Sequence, residues 1–504
     1  FAIPDHPWVD GNDGAAVRIA MTVGRAGEAP GLLQQVTNEN SDESREARNV
    51  ALSRREGKVF ADLSIGADVA GAQFLKANQE ISSPGVKLHG AGFIVTPEEA
   101  NQLGLDNNPT LKQVIRNYRN GRDLTQTPRG VKVIDLFGLT ADEVKRQFPS
   151  VYQWIFERVK PERDQNKRAT YRNNWWIFGE ARKDWRRYAN GLPRYIATVE
   201  TAKHRLFTFL DADILPDNML VNIAIDNPTC LGVLSSRMHF RWANANGGSL
   251  GMYVGDVRYN KTRCFETFPF PELTDEQAAK IGQLAEQIDA HRKRQQAEHP
   301  TLTLTGMYNV MEKLRAGEEL NAKEQTINQQ GLVSTLLADH DALDRAVFNA
   351  YGWDDLAKAL VGLPGATTPL PGKPAAQAEA EEELLMRLVA LNKQRAAEEA
   401  QGKVRWLRPD YQAPEEAAPT QKELQSTTAE ASAPAADKTK ATWPKDLATQ
   451  VTLLRDMLAQ SPHSAESLAA QFKRKPLKGV NEVLSALAAL GQAQQDDDHW
   501  RLVR

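Results

Sequence analysis

RYIATVETAKHRLFTFLDADILPDNMLVNIAI, residues 194–225, contains three short apolar runs separated by charged and turn-forming residues. Runs of this length, rich in β-branched and aromatic residues, predict β-strands. CLGVLSS, residues 230–236, has the same character and predicts a fourth strand. Residues 192–271 are therefore predicted to form a β-rich module. It ends at YNKTRCFETFPFP, residues 259–271, because proline cannot donate a hydrogen bond to a sheet.

Long helices are predicted after this module. Thr274 and Gln277 have the spacing of a capping box at a helix N-terminus. Three apolar residues then recur at helical spacing and form one stripe: Ile281, Leu284 and Ile288. Further helices are predicted over 322–351 and 380–401. The stretch 361–380 is rich in Pro, Gly and Ala and is predicted to be a linker.

The N-terminal region is predicted to contribute short strands. FAIP, residues 1–4, and AAVRIAMTVG, residues 15–24, are apolar runs with the pattern of buried strands. An amphipathic helix is predicted near residues 66–78. Another helix is predicted to begin at Thr96, because Pro97 suits the first helical position.

The C-terminal region divides into a low-complexity stretch and a compact segment. Residues 412–442 are dominated by Ala, Pro, Thr and Glu, a composition that predicts disorder. Residues 443–504 contain three predicted helices followed by the hairpin sequence QAQQDDDHWRLV, which is the element order of a winged-helix domain. Such domains bind DNA or pack against protein partners, and the sequence leaves both open.

The bulk composition is that of a globular protein with several domains. The chain has 504 residues and a net charge of −3, which excludes a uniformly basic nucleic-acid coat. Cys230 and Cys264 are its two cysteines, so a reducing cytoplasm is expected rather than a disulfide framework. No stretch approaches the roughly 20 apolar residues that span a membrane. The chain opens at Phe1, without Met and inside a predicted strand, so we expect that an N-terminal part precedes it.

One window combines positive charge with aromatic rings. Residues 158–187 contain ten Lys or Arg against four Asp or Glu, a local charge of +6. Five aromatic side chains are interleaved with them: Tyr171, Trp175, Trp176, Phe178 and Trp185. Cations and flat rings together favour phosphate contacts and base stacking. The alternative is a solvated helix face above buried tryptophans.

A second candidate for DNA contact is SSRMHFRWANANGG, residues 235–248. Arg237, His239 and Arg241 occupy alternate positions, so on a strand all three would point to one face. Arg on such a ribbon can reach guanine edges. Lys261 and Arg263 also alternate and are predicted on a neighbouring strand. An ordinary solvent-facing edge strand would show the same alternation.

The residues themselves indicate no active site. Neither a Cys-x-x-Cys pair nor a phosphate-binding loop of the G-x-x-x-x-G-K-[ST] type occurs. The turn Gly90-Ala91-Gly92-Phe93 precedes a predicted strand instead of following one, so we interpret it as structural. The sequence Asn108-Pro109-Thr110 lacks the second proline and the aromatic residue of a catalytic Asn-Pro-Pro-aromatic loop.

Several segments, taken in order, resemble the C-terminal part of large prokaryotic adenine-specific DNA methyltransferases of the MmeI-like (type IIL/IIG) restriction–modification type. FAIPDHPWVD and GAAVRIAMTVG resemble the last strands of the methyltransferase fold. VKPERDQNKRATYRNNWWIFGE resembles the connector into target recognition. RYIATVETAKHRLFTFLDADILPDN and YNKTRCFETFPFP resemble the target-recognition domain, and LVALNKQRAAEEAQGKVRWLRPDYQ the C-terminal segment. The resemblance spans residues 1 to 412 and is specific in combination.

The resemblance implies a fold that starts as an α/β remnant of a class I methyltransferase fold. An α+β target-recognition domain, a helical spacer and a small winged-helix-like C-terminal domain would follow. The implied boundaries are 1–85 for the tail end of the catalytic domain, 86–191 for the connector, 192–271 for target recognition, 272–360 for the spacer, 361–412 for the linker and C-terminal helix, 413–442 for a disordered linker and 443–504 for the winged-helix-like domain.

The resemblance also implies a reaction. S-adenosylmethionine would donate a methyl group to the exocyclic amino group of an adenine flipped out of double-stranded DNA. In the family, the cofactor loop and the Asn/Asp-Pro-Pro-Tyr/Phe loop precede the strand that begins here at Phe1. This chain is therefore expected to recognise DNA and to depend on an N-terminal catalytic portion for methyl transfer.

A stand-alone DNA-specificity subunit working with a separate methyltransferase is the main alternative, and a scaffold protein is a third. The predicted DNA contacts are Arg163, Lys167, Arg168, Arg172, Lys203, Arg205, Arg237, His239, Arg241, Lys261 and Arg263.

Overall fold

The fold is known from a computed structural model of the chain. The structure describes residues 1–8, 17–27, 29–40, 49–61, 63–249, 257–370, 372–414, 443–444, 447–460, 463–472, 476–489, 493–496 and 499–502. They form two compact units, residues 1–419 and residues 420–504. Within those described ranges, no helix has both the length and the apolar character to cross a membrane.

The first unit opens with a four-stranded sheet, here called the N-terminal sheet. Its strands are Ala2–Trp8, Val17–Thr22, Gly31–Asn40 and Asn49–Gly57. The sheet consists of two antiparallel hairpins joined by the parallel pairing of Ala2 with Leu33. Both predicted strands of this region are confirmed. The second strand is mostly exposed, however, so the expectation that it is buried is wrong.

Two further four-stranded sheets follow, and residues 194–225 contribute strands to both. The central sheet is antiparallel and contains, in spatial order, Thr208–Asp211, Arg194–Val199, Leu220–Ile223 and Ser82–Pro84. The flanking sheet contains Ile214–Pro216, Ile115–Arg119, Lys132–Ile134 and Ile94–Val95. The three strands predicted in the opening stretch are thus confirmed.

Short helices pack around the flanking sheet, and the last of them, Lys183–Ala189, packs against the central sheet. The helices are Pro97–Gln102, Gly121–Thr125, Ala141–Gln147, Pro149–Arg158, Lys160–Asp164, Ala169–Asn173 and Lys183–Ala189. The helix predicted to begin at Thr96 is confirmed, and Thr96 caps it together with Glu99 in a capping box. The amphipathic helix predicted near residues 66–78 is wrong, because that stretch forms two single 3-10 turns, Val69–Gly71 and Lys76–Asn78.

The strand predicted at residues 230–236 is also wrong. Pro228–Ser235 and Arg237–Asn246 are helices, and Asn227 and Ser236 cap their N-termini. Five of the eight residues of the first helix are buried and the other three are half-buried. A short apolar run without an exposed face does not distinguish a strand from a helix. Lys261–Phe265 forms a π-helical turn rather than a strand. A small three-stranded sheet, the rim sheet, contains in spatial order Thr201–Ala202, Val257–Arg258 and Gly248–Ser249. Its last two strands lie in sequence between Arg237–Asn246 and the π-helical turn.

A helical body completes the first unit. Its helices are Asp275–Glu298, Leu304–Ala316, Ala322–Gly331, Val333–Ala350 and Asp354–Leu360, and the long helix Ala375–Ala400 packs on it before the short helix Pro409–Gln412. The capping box at Thr274 and the buried stripe that follows it are confirmed. Residues 361–380 do not form the predicted linker throughout, because Thr367 is buried and the N–H of Gly365 donates to Glu312 Oε2 at 2.6 Å. The helix Ala375–Ala400 also begins within this stretch.

The second unit has the predicted element order. Helices Leu447–Gln460, Ala465–Ala470 and Leu477–Ala489 precede a hairpin of Ala493–Asp496 and His499–Leu502. Leu454, Leu468 and Leu484 lie in its core. Of the stretch predicted to be disordered, residues 415–442 lie outside the described residues.

Candidate nucleic-acid interface

The aromatic side chains of the basic window 158–187 belong to the protein interior. Tyr171, Trp175, Phe178 and Trp185 are buried, and Trp176 is half-buried and donates from its indole to the carbonyl of Leu139. Trp175 and Phe178 pack in the core beneath the flanking sheet. These rings are therefore not a stacking platform for bases. The alternative interpretation, a charged face above buried tryptophans, describes the window better.

Most cations of this window are used within the fold. Arg163 is 1% exposed and donates to the carbonyl oxygens of Leu88 at 2.8 Å and Ile177 at 2.9 Å. Burial lowers the pKa of Arg163, which is the expected cost of removing a guanidinium from water. Four others form ion pairs: Lys160–Asp164, Arg182–Glu180, Arg186–Asp135 and Arg187–Asp184. The prediction that Arg163 contacts DNA is therefore wrong for this geometry.

Two predicted contacts in the window remain exposed. Arg172 donates to the backbone carbonyls of Asn166 and Lys167 at 2.6 and 3.1 Å, so its guanidinium holds the loop together. Lys167 and Arg168 are exposed, and Arg168 donates to the hydroxyl of Tyr171 at 3.1 Å. Of the contacts that the sequence predicts in this window, Lys167 and Arg168 are the ones that a phosphate could reach.

Arg237, His239 and Arg241 do not form a cationic ribbon. They lie on one helix, where Arg237 is 2% exposed and its backbone N–H donates to Asp344 Oδ1 at 2.7 Å. Its guanidinium donates to the carbonyls of Leu363 and Pro364. The prediction that Arg237 reads a base is corrected, because its side chain lies inside the helical body.

The other two side chains of this trio are also held internally. His239 is fully buried, shares a hydrogen bond of 2.9 Å with the hydroxyl of Tyr259, and has its pKa lowered to about 3 by burial. It is therefore neutral near pH 7 and carries no charge toward DNA. Arg241 pairs with Glu381, with 3.3 Å between Nε and Oε2.

Arg205 is a further predicted contact that the structure buries. Its guanidinium donates to the Thr198 hydroxyl at 3.1 Å and to the carbonyl of Val199, and it lies 5.1 Å from the ring centroid of Tyr259. Burial lowers the pKa of Arg205 to about 10, so the side chain stays charged near pH 7. Its role is to hold strands of the central sheet, and the prediction of a DNA contact is wrong here.

Three predicted cations remain at the surface around the rim sheet. Lys203 follows the strand Thr201–Ala202 and is exposed, as is Arg263. Lys261 is half-buried and pairs with Glu266. Two cations that the sequence did not single out join this surface: Arg258, which pairs with Glu200 across the rim sheet, and Arg122.

A cleft of about 330 Å³ separates Lys203 from Arg122. One wall is Asn120–Thr125, where Asn120 caps the helix and leaves Arg122 in the exposed first turn. The other wall is Thr201–His204. Among the described residues, neither Arg122 nor Lys203 has an ion-pair partner. The pattern Asn-Gly-Arg-Asp, a capping box with a cation inside it, is the sequence signal that could have found Arg122.

The polar groups of the cleft set its charge. Lys203 Nζ donates to Asn309 Oδ1 at 2.6 Å, and His204 Nε2 lies 3.0 Å from the same oxygen. Burial lowers the pKa of His204, so the ring is neutral near pH 7. Asp217 also lines the cleft and accepts from the Tyr118 hydroxyl at 2.5 Å. The cleft therefore presents two cations against one carboxylate, which suits an anionic ligand.

The described residues do not fit S-adenosylmethionine at the glycine turn 90–93. A Cβ atom added to Gly92 would lie 2.6 Å from the carbonyl oxygen of Arg158, so protein backbone occupies the space that a cofactor would need. Asn108 is likewise structural, because its Oδ1 accepts from the backbone N–H of Thr110 at 3.1 Å and caps a 3-10 turn. The described residues also contain no group of three or more His, Cys, Asp or Glu placed to hold a metal ion.

Comparison with known proteins supports the DNA interpretation for one part of the chain. Residues 73–272 match the family model described as MmeI, target recognition domain. DNA methyltransferase A of Bacillus subtilis (strain 168) is 34% identical over 98 residues, which are 19% of this chain and 10% of that protein.

A solved structure of the type IIL restriction–modification enzyme MmeI in complex with DNA shares the fold. Its TM-score is 0.53 at 19% identity, and the match covers 79% of this chain and 46% of that chain. The chain thus spans less than half of that enzyme and a tenth of the Bacillus protein. Residues 73–272 are thus similar to the target recognition domain of MmeI, and the chain shares the fold of that enzyme over most of its length.

Proposed function

We propose that this chain provides DNA target recognition for a site-specific, adenine-specific DNA methyltransferase of a restriction–modification system. The observation that carries the proposal is the match of residues 73–272 to the MmeI target recognition domain. The shared fold of the MmeI–DNA complex supports it over most of the chain. The protein would act in the prokaryotic cytoplasm.

The methyl transfer itself is assigned to residues outside the printed sequence. S-adenosylmethionine would supply the methyl group, and an N-terminal catalytic portion of the same polypeptide would hold both the cofactor and the flipped adenine. The N-terminal sheet would be the tail end of that catalytic domain. The residues described here would bind the duplex and set its position.

The DNA contacts proposed from the structure differ from those predicted from the sequence. Lys203, Arg122 and Arg263 would contact phosphates around the rim sheet, because they are exposed and have no ion-pair partner among the described residues. Lys167 and Arg168 would add contacts from the connector. Each phosphate contact adds sequence-independent affinity that decreases with salt.

The experiment that tests the proposed function is methylome sequencing of a strain that carries the full-length gene. We expect methylated adenine in one defined sequence context, absent from the parent strain. Methylation of cytosine, or of no base, would refute the assignment. Methylation that appears only when a separate methyltransferase gene is added would favour the stand-alone specificity subunit.

A binding experiment separates DNA recognition from a scaffold role. Lys167→Ala and Arg168→Ala should weaken binding to cognate and random duplexes alike and reduce the salt dependence of affinity. Lys358→Ala is the matched control, because this exposed lysine lies on a helix of the helical body outside residues 73–272. A wild-type chain that binds no duplex at low salt would contradict the proposal.

A further inference from the structure

One segment of the chain joins the N-terminal sheet to the recognition domain. Side chains of a single helix bind the backbone atoms of this segment. This segment, residues 58–77, is called the junction, and its last five residues, 73–77, are also the first five of the range that matches the recognition-domain model. The helix Ala375–Ala400 is called the strut helix. Glu382 Oε1 accepts from the backbone N–H of Ala67 at 2.8 Å. Asn392 binds Gln73 on both sides, accepting from its N–H at 2.8 Å and donating to its carbonyl at 2.9 Å.

The strongest contact lies at the end of the strut helix. Glu399 accepts from the N–H of Lys76 at 2.6 Å and from that of Ala77 at 3.0 Å, so one carboxylate caps a 3-10 turn of the junction. Both Glu399 and Asn392 are buried. Charge-assisted hydrogen bonds of this kind are about twice as strong as neutral ones. A buried carboxylate without these donors would be costly, so the two segments stabilise each other.

The geometry of the strut helix explains how three of its side chains can bind backbone atoms spread over residues 67–77. Glu382, Asn392 and Glu399 are separated by ten and seven residues, which places them within roughly 100° of each other around the helix axis. The backbone of the junction approaches this face of the helix closely at Gly66. Gly66 has φ +122°, and a Cβ atom added there would lie 1.7 Å from Glu382 Oε1.

The strut helix is anchored at the same time to the recognition domain and to the helical body. Asn392 Nδ2 also donates to the carbonyl of Thr267 at 2.7 Å, near the end of the target recognition domain. Leu384 and Leu388 are fully buried in the core of the helical body. Arg387 pairs with Asp355 of that body at 2.7 Å. One helix therefore connects three parts of the first unit.

We propose that Glu382, Asn392 and Glu399 are positioning residues that fix the N-terminal sheet relative to the recognition domain. The inference rests on the proposed function, in which the N-terminal sheet continues the catalytic domain. The strut helix then determines where a recognised site lies relative to the reacting groups. All three side chains bind backbone atoms of the junction, and Lys393 of the same helix adds an ion pair with Asp68 at 3.4 Å.

A distance measurement tests the geometry without any assumption about activity. Spin labels attached through Arg54→Cys in the N-terminal sheet and Asp106→Cys in the connector report the orientation in the full chain by double electron–electron resonance. Both substituted positions are exposed, whereas the native cysteines are buried. Glu399→Gln and Asn392→Ala should each broaden the distance distribution.

A substitution elsewhere on the strut helix serves as the control. Gln394→Ala removes an exposed side chain that bonds only to Glu398 among the described residues, and should leave the distribution unchanged. Circular dichroism shows whether each variant is folded, and the near-isosteric Glu399→Gln serves if Asn392→Ala does not fold. Distributions identical to the wild type in a folded Glu399→Gln would overturn the proposal.

A kinetic experiment with the full-length enzyme tests the consequence. Glu399→Gln should reduce single-turnover methyl transfer on saturating cognate DNA by about tenfold to a hundredfold, because small displacements of reacting groups have effects of that size. The dissociation constant for cognate DNA should stay within about twofold. Unchanged transfer, or an equal loss of DNA affinity, would overturn the positioning role. If the wild-type enzyme methylates no DNA, the proposed function fails, and the distance measurement still decides whether the strut helix fixes the junction.

Discussion

Replacing Arg237 with alanine should destabilise the first unit rather than remove a base contact. The side chain is 2% exposed, and its guanidinium donates to the carbonyls of Leu363 and Pro364. Its Nε lies 3.8 Å from Asp344 Oδ2, and Asp344 is buried too. The substitution would remove the donor to the Leu363 carbonyl and the cation beside Asp344. Asp344 would keep the backbone N–H of residue 237, and the Pro364 carbonyl would keep Gln377 as a donor.

The expected loss of stability in Arg237→Ala follows from the burial of the Arg237–Asp344 ion pair. Removal of one partner of a buried ion pair costs roughly 3–5 kcal/mol, because the remaining charge stays desolvated. Burial already raises the pKa of Asp344, and Arg237 opposes that rise. Without Arg237 the pKa should rise further above its ordinary value of 3.8. A group with a raised pKa favours the folded state when protonated, so the destabilisation should grow as the pH rises above that value.

Urea unfolding of the full chain, followed by tryptophan fluorescence, measures this cost. Arg263→Ala is the matched control, because its exposed side chain should contribute no more than about 0.5 kcal/mol to stability. The loss for Arg237→Ala should be larger at pH 8 than at pH 5. The reasoning would be refuted if Arg237→Ala kept its free energy of unfolding and lost binding to cognate DNA alone.

Three further predictions concern the cleft, the glycine turn and a buried histidine. Arg122→Ala and Lys203→Ala should each weaken binding to all duplexes and reduce the slope of log affinity against log salt by about 1, which anisotropy titrations at several salt concentrations measure. Gly92→Ala should lower the free energy of unfolding by roughly 1–3 kcal/mol, because its methyl group would meet the Arg158 carbonyl; unchanged stability in urea would show that the turn has room. Burial lowers the pKa of His239 to about 3, so stability should fall as the pH drops below 6.5, where only the unfolded state takes up the proton. His239→Gln should flatten that dependence in thermal unfolding, and an unaltered slope would contradict the assignment.

Features determined by neighbouring residues could be predicted from the sequence. The capping boxes at Thr96 and Thr274 form because both partners lie within four positions of each other. The strand Arg194–Val199 and its partners follow from short apolar runs between turn residues. The segments that resemble the MmeI family also fall largely within residues 73–272, where the family model matches.

Features determined by distant residues could not be predicted in this way. The apolar run at Pro228–Ser235 has no exposed face, so the spacing of its apolar residues does not distinguish a helix from a strand. Residues 361–374 have the composition of a linker, yet Glu312 binds the N–H of Gly365 from a helix 53 positions away. Local composition describes how a segment would behave alone, and these segments are ordered by partners elsewhere in the chain.

The same reasoning explains why charge patterns gave a poor list of DNA contacts. A cation in the sequence has two possible uses, a contact with an anionic ligand or a bond to the protein's own acceptors, and the acceptors decide between them. For Arg237 the acceptors of the guanidinium, the carbonyls of Leu363 and Pro364, are 126 and 127 residues away. For Lys203 the nearest acceptor is the neutral amide of Asn309, which leaves the positive charge uncompensated at the surface. Phosphate contacts should therefore be sought among the cations that remain unpaired after folding, as Lys203 does, and not among those that are most closely spaced in the sequence.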